Sequence, residues 1–180
     1  MEPWVKNPET LYSGDKPGNF ALLPREILGN WLMCAVGNAL DGKAAWTFCT
    51  DPFGGDGILI DQNADSQMVT EHVFVPQKYL KGSPNPEDAI KNAVAKKQDK
   101  GGKAYAEGKH LIVFCEGGGK WYPNRVGKAI ADTHNFATAW AVGLDRAEND
   151  NTYYYWVAQF ENGHCPVVEV KIDFAKVDWL

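Results

Sequence analysis

Cysteine and histidine are both scarce here, four of each among 180 residues, and neither falls at a metal-ligand spacing. Cys34, Cys49, Cys115 and Cys165 form no C-x-x-C pair, which excludes a zinc ribbon or a dithiol redox motif. The cysteines lie mostly in apolar runs and are expected to be small buried hydrophobes of a reducing compartment. Long hydrophobic runs are also missing: the longest, NWLMCAVGNAL, falls well short of the roughly 20 residues that span a bilayer. The opening MEPWVKNPET has neither a basic segment nor an apolar one, so no signal peptide is expected and the cytoplasm is the expected location. Positive charge is in deficit, with 18 Lys and Arg against 23 Asp and Glu, for a net charge of -5. That excludes a protein that coats nucleic acid by bulk electrostatics, but leaves room for a local basic patch acting with a metal. Internal repeats, low-complexity segments and linkers are absent, and the length suits one domain over residues 1–180.

What remains is an alternation of helical and strand patterns. Residues 1–23 are rich in Pro, Gly and Asn and are expected to form an irregular arm packed through Trp4, Leu11 and Tyr12. A helix over 24–40 follows, with Pro24 in its first turn, an apolar face from Leu28 to Ala39, and Asp41-Gly42 as its stop. Three strand patterns come next, AWTFCT, GILI and MVTEHVFV, separated by the turn sequences DPFGGD and DQNADSQ. After the loop KGSPNP, residues 86–100 read as a second helix, acidic at its start and basic at its end as the helix dipole favours. HLIVFC is a short continuous apolar run, the pattern of a strand buried on both faces. The loop EGGGKWYPNR and a short helix in RVGKAIADTH lead to three further strand patterns, FATAWAVGL, TYYYWVAQF and VVEVKIDF. The fold class implied is α/β (α+β): a mixed sheet flanked by helices, with a core over about 24–116 and extra antiparallel strands in 117–180.

Two acids stand out in this pattern. In MVTEHVFV, Glu71 shares a strand face with Val69, Val73 and Val75, while Thr70, His72 and Phe74 share the other. A carboxylate in a row of valines is costly to bury unless a cation, a metal or donors meet it. Asp56 precedes the neighbouring strand after two glycines. If the strands pair, both carboxylates converge at one end of the sheet and form a hard oxygen site suited to Mg²⁺ or Mn²⁺. Ordinary turn chemistry for Asp56 and a solvent-facing strand position for Glu71 are the plainer alternatives. The following helix adds Lys97, which falls on the apolar stripe of Ala93 and Val94. Its ammonium either snorkels to solvent or reaches back toward the carboxylates, where it can stabilise charge on a phosphate.

Asp56 in GGDGILID, Glu71 in TEHVFV and the passage AIKNAVAKKQDKGGKAYAEGKHLIVF resemble the restriction-endonuclease-like superfamily, whose signature is PD-(D/E)xK. The resemblance spans roughly residues 24–116 and identifies the chain as a divergent member. It implies a helix, three strands, a second helix and a fourth strand, with an acid at the second strand and a (D/E)-x-K tripeptide on the third. Val73 stands where that tripeptide carries lysine, and Lys97 is the best placed substitute. Glu26, in the first turn of the first helix, matches the additional acid that many such families carry there, although the helix dipole explains it equally well. The resemblance implies a Mg²⁺- or Mn²⁺-dependent phosphodiesterase acting on nucleic acid, a nuclease-type hydrolase with Asp56 and Glu71 on the metal. With Val73 marking lost chemistry, the alternative is an inactive domain of the same fold that binds nucleic acid or a protein.

Other features carry less. His72 points away from Glu71 and is expected to be a packed or hydrogen-bonded histidine. EGGGKWYP lacks the spacing of a phosphate-binding loop. Lysines at 91, 96, 97, 100, 103 and 109 form a basic zone that suits either a solvated helix end or a phosphate track.

Overall fold

A computed structural model describes residues 5–11, 14, 16, 22–76, 85–116 and 120–175. Trp4 and Tyr12, two of the three expected anchors of the arm, lie outside these residues, as do Gly117–Gly119 and most of the loop before Pro86. Leu11, the third anchor, ends a 3-10 turn over Pro8–Leu11 and is buried.

Helix α1 runs Pro24–Asp41 and stops at Gly42, whose φ of 67° supplies the left-handed cap. Strands β1 (Trp46–Cys49), β2 (Ile58–Asp61) and β3 (Ser66–Val75) form an antiparallel meander. Helix α2 (Pro86–Ala106), N-capped by Asn85, crosses over to β4 (His110–Cys115), which runs parallel to β3. Helix α3 (Pro123–Ile130) makes a second crossover to β5 (Thr138–Asn149), followed by β6 (Thr152–Phe160) and β7 (Val167–Asp173). All seven strands form one mixed sheet in chain order.

The four core strands and two helices agree with the sequence pattern, and β4 is buried on both faces. Ile112 and Phe114 join the core under α1, with Leu28, Leu32 and Val36. Leu111, Val113 and Cys115 face α2 and α3 through Ile90, Val94, Val126 and Ile130. Two expectations need correction. The first added strand is not antiparallel: β5 pairs with β4 in parallel, because α3 supplies the crossover that parallel neighbours need. Nor does the second helix end near residue 100. It continues to Ala106 across a break at Gly102, where φ is 65° and ψ is −161°. That break re-aims its last turn.

Cys34, Cys115 and Cys165 are buried free thiols, while Cys49 is exposed. No helix among the described residues is long and apolar enough to cross a membrane.

Candidate functional site

Asp56 is positioned by three elements. The turn before it is braced by Asp51, whose carboxylate accepts from the backbone N–H groups of Phe53 (2.8 Å) and Gly55 (3.0 Å). The Asp56 N–H donates to the Thr70 carbonyl (3.2 Å), which aligns it with β3. From α1, the fully buried Asn30 donates its amide to the Asp56 carbonyl (2.9 Å) and accepts from the Thr70 hydroxyl (2.8 Å). Gly57 makes this close approach possible. Its φ is 140°, and a Cβ there would collide with the Asn30 side-chain nitrogen. Gly57→Ala is therefore expected to cost about 2 kcal/mol in urea unfolding, through strain and loss of the Asn30 bond. Unfolding indistinguishable from wild type would show that Asn30 does not hold this turn.

The Asp56 carboxylate then turns toward β3. Its Oδ2 accepts from the His72 backbone N–H at 2.6 Å and meets Lys97 Nζ at 3.2 Å. Glu71, 4% exposed, sits on the α2 face of β3. Its Oε2 meets Lys97 Nζ at 3.0 Å and accepts a short hydrogen bond from the Tyr105 hydroxyl; its Oε1 meets Lys109 Nζ at 2.7 Å. The structure thus brings Asp56, Glu71 and Lys97 together, with the Lys97 ammonium shared between the carboxylates. Lys109 also lies over the Tyr105 ring, 4.2 Å from its centroid.

Burial alone would raise the Glu71 pKa, but hydrogen bonds from Lys109, Tyr105 and Lys97 outweigh it and hold the carboxyl at about 2. Lys97 moves the other way. Burial disfavours its charge, yet Asp56 and Glu71 hold it above the ordinary lysine range. It is a fixed cation, not a base. Burial, and then the bond to Glu71, push Tyr105 up to about 12, so its phenol stays protonated.

Glu26 is buried but does not touch this group. Its Oε2 accepts from the Leu23 N–H (2.7 Å), a capping contact that closes the start of α1. Burial raises its pKa, and the nearby Asp56 charge raises it further. His72 faces α1, as the strand alternation required. Burial holds it neutral at about 3, and its Nε2 lies 3.4 Å from the Asn30 oxygen.

Tyr105 and Asn30 are the members that pattern reasoning missed, together with the pairing of Lys109, named only within the basic zone, to Glu71. Tyr105 meets Glu71 from the turn after the break at Gly102, for which the Gly101-Gly102 pair was a readable sign. Asn30, four residues after Glu26 within an apolar helix, was another. Lys109 needed the β3–β4 register, in which Glu71 lies beside Leu111.

Among the described residues no group of three or more His, Cys, Asp or Glu is placed to hold a metal. The donor set nevertheless suits Mg²⁺, a hard ion usually held by one or two carboxylates together with water and substrate phosphate. Asp56 Oδ1 meets no donor among the described residues. Both Glu71 oxygens are occupied, Oε2 by Lys97 and Tyr105 and Oε1 by Lys109, so an ion must displace one of these partners. No protein-family model, curated protein or solved structure matches the chain.

Proposed function

We propose that the chain is a restriction-endonuclease-like phosphodiesterase that hydrolyses nucleic acid with Mg²⁺ or Mn²⁺. One observation carries this reading: Asp56, Glu71 and Lys97, brought from a turn, a strand and a helix, meet at a single point. The order helix, three strands, helix, strand, which the sequence resemblance implies, supports it.

Asp56 and Glu71 would hold the ion, which when bound would supply Lewis acidity and lower the pKa of a water. The chain's own groups do the rest. The His72 N–H and the Asn30 amide fix Asp56, while the Tyr105 hydroxyl fixes Glu71. Lys97, permanently charged, stabilises the negative charge that develops on the phosphate in the transition state. Lys109 adds positive charge beside it. Lys97 exchanges no proton.

A second reading is favoured by the pairing of both Glu71 oxygens and by Val73: a non-catalytic domain that binds nucleic acid or a protein, its acids serving as an ion-pair network. Single- and double-stranded DNA and RNA, incubated with purified protein and Mg²⁺ or Mn²⁺, separate the two. Metal-dependent cleavage by wild type, lost in Asp56→Asn, is the expected result. If wild type and Val73→Lys both leave every substrate intact, the non-catalytic reading replaces the first.

A further inference from the structure

Beyond Glu71 on the same face of β3, Val73 and Val75 floor a cavity of about 410 Å³. Its opposite wall is α2, through Asp88, Ala89, Asn92, Ala93 and Lys96, with Pro76 and Asn85 closing the end away from Glu71; the Asp88 charge is answered by Lys91 at 2.5 Å. We propose that this cavity receives the base of a nucleotide next to the scissile phosphate, so that the substrate is single-stranded or locally unpaired. The inference rests on the phosphodiesterase reading and adds the substrate class.

Position comes first. Val73 follows Glu71 by two strand residues, roughly 7 Å along the sheet. Ala93 precedes Lys97 by one helical turn. The cavity therefore adjoins the ion-paired group on both its strand and its helix side, within one nucleotide's reach of it.

Size and lining come next. The volume falls in the usual range of small-molecule pockets, roughly 300–1,000 Å³. Alanine and valine side chains give it flat apolar walls of the kind that cover a base face. Asn92 and Lys96 are exposed, one turn apart, and neither side chain has a hydrogen-bond or ion-pair partner among the described residues. An amide offers both a donor and an acceptor to a base edge, and the ammonium suits a flanking phosphate.

The departure at Val73 also gains a meaning. A lysine at 73 would send its side chain into this space. With the ammonium supplied by Lys97 from α2, the space over Val73 stays open. A base within a duplex cannot enter without leaving its stack, which is why unpaired strands are favoured.

The test is binding in EDTA, followed by fluorescence anisotropy of labelled oligonucleotides of equal length: a base-bearing single strand and its fully abasic counterpart. Wild type is expected to prefer the base-bearing strand roughly 5- to 10-fold, from apolar burial of one base face. Ala93→Phe fills the cavity and should collapse that preference while abasic binding stays unchanged. Asn92→Phe, at an exposed position, blocks the mouth without touching the core and should do the same should Ala93→Phe fail to fold. Equal binding of the two strands by wild type, or a preference that survives in the folded variants, overturns the pocket and leaves the phosphodiesterase reading standing. No binding of either strand overturns the pocket as well, while the phosphodiesterase reading stands or falls on the metal-dependent cleavage assay.

Discussion

Glu71→Gln is expected to be among the most destabilising single changes in the protein, at about 3 kcal/mol in chemical denaturation. Its carboxylate answers two ammonium groups and a phenol at a site only 4% exposed. The amide keeps the shape but removes the charge, and breaking one side of a buried ion pair costs about 3–5 kcal/mol. The low end applies because Lys109, the more exposed lysine, can turn toward water. Acid should reproduce part of this loss in the wild type. The Glu71 pKa in the folded protein, about 2, lies below its ordinary 4.5, so its contribution is fully present above pH 4.5. That contribution fades as pH falls from 4.5 toward 2, by an amount on the order of 2 kcal/mol after solvent screening. Glu71→Gln should show a flatter stability curve across the same window. Parallel wild-type and mutant curves would mean that Glu71 is not the group responsible.

Lys97→Ala separates chemistry from metal affinity. Without substrate or metal, it leaves Asp56 and Glu71 facing each other with Lys109 as the remaining cation, and stability should fall by about 3 kcal/mol. Millimolar Mg²⁺ should then raise the melting temperature of the variant more than that of wild type, because both carboxylates have lost the ammonium they shared. Cleavage should nevertheless drop by roughly 10²–10³-fold, the usual effect of removing one group that stabilises transition-state charge. Calorimetry with and without Mg²⁺, alongside a cleavage assay, reads both effects. A variant that cuts at the wild-type rate sinks the role given to Lys97; a smaller Mg²⁺ response than wild type sinks the metal site.

The legible part of this site was the part governed by simple periodicity. Period-two alternation put Glu71 and His72 on opposite faces of β3, and helical spacing aimed Lys97 at the sheet. Glu71 among valines called for a cation, a metal or donors, and the structure supplies two ammonium groups and a phenol. The parallel pairing of β5 with β4 was not legible, because it is declared only through a crossover that spans many residues. Tyr105 was hidden by a backbone break within a helical pattern, and Lys109 by a register that no local signal sets. The cavity over Val73 depends on the separation between α2 and β3, a tertiary quantity with no trace in local pattern.

Because each strand pairs with its neighbour in the chain, the sheet can grow by adding one strand at a time during synthesis. Every residue of the ion-paired group falls between Asp56 and Lys109, so β4 completes the group before any later strand exists. At that moment β4, the most apolar strand, is also the outermost one, and its outer edge stays unpaired until α3 and β5 arrive. An apolar edge of that kind is a template for pairing with another chain. A nascent chain held with Cys115 emerged from the ribosome and Thr138 not yet emerged would therefore be at its most aggregation-prone length, with the candidate site already assembled.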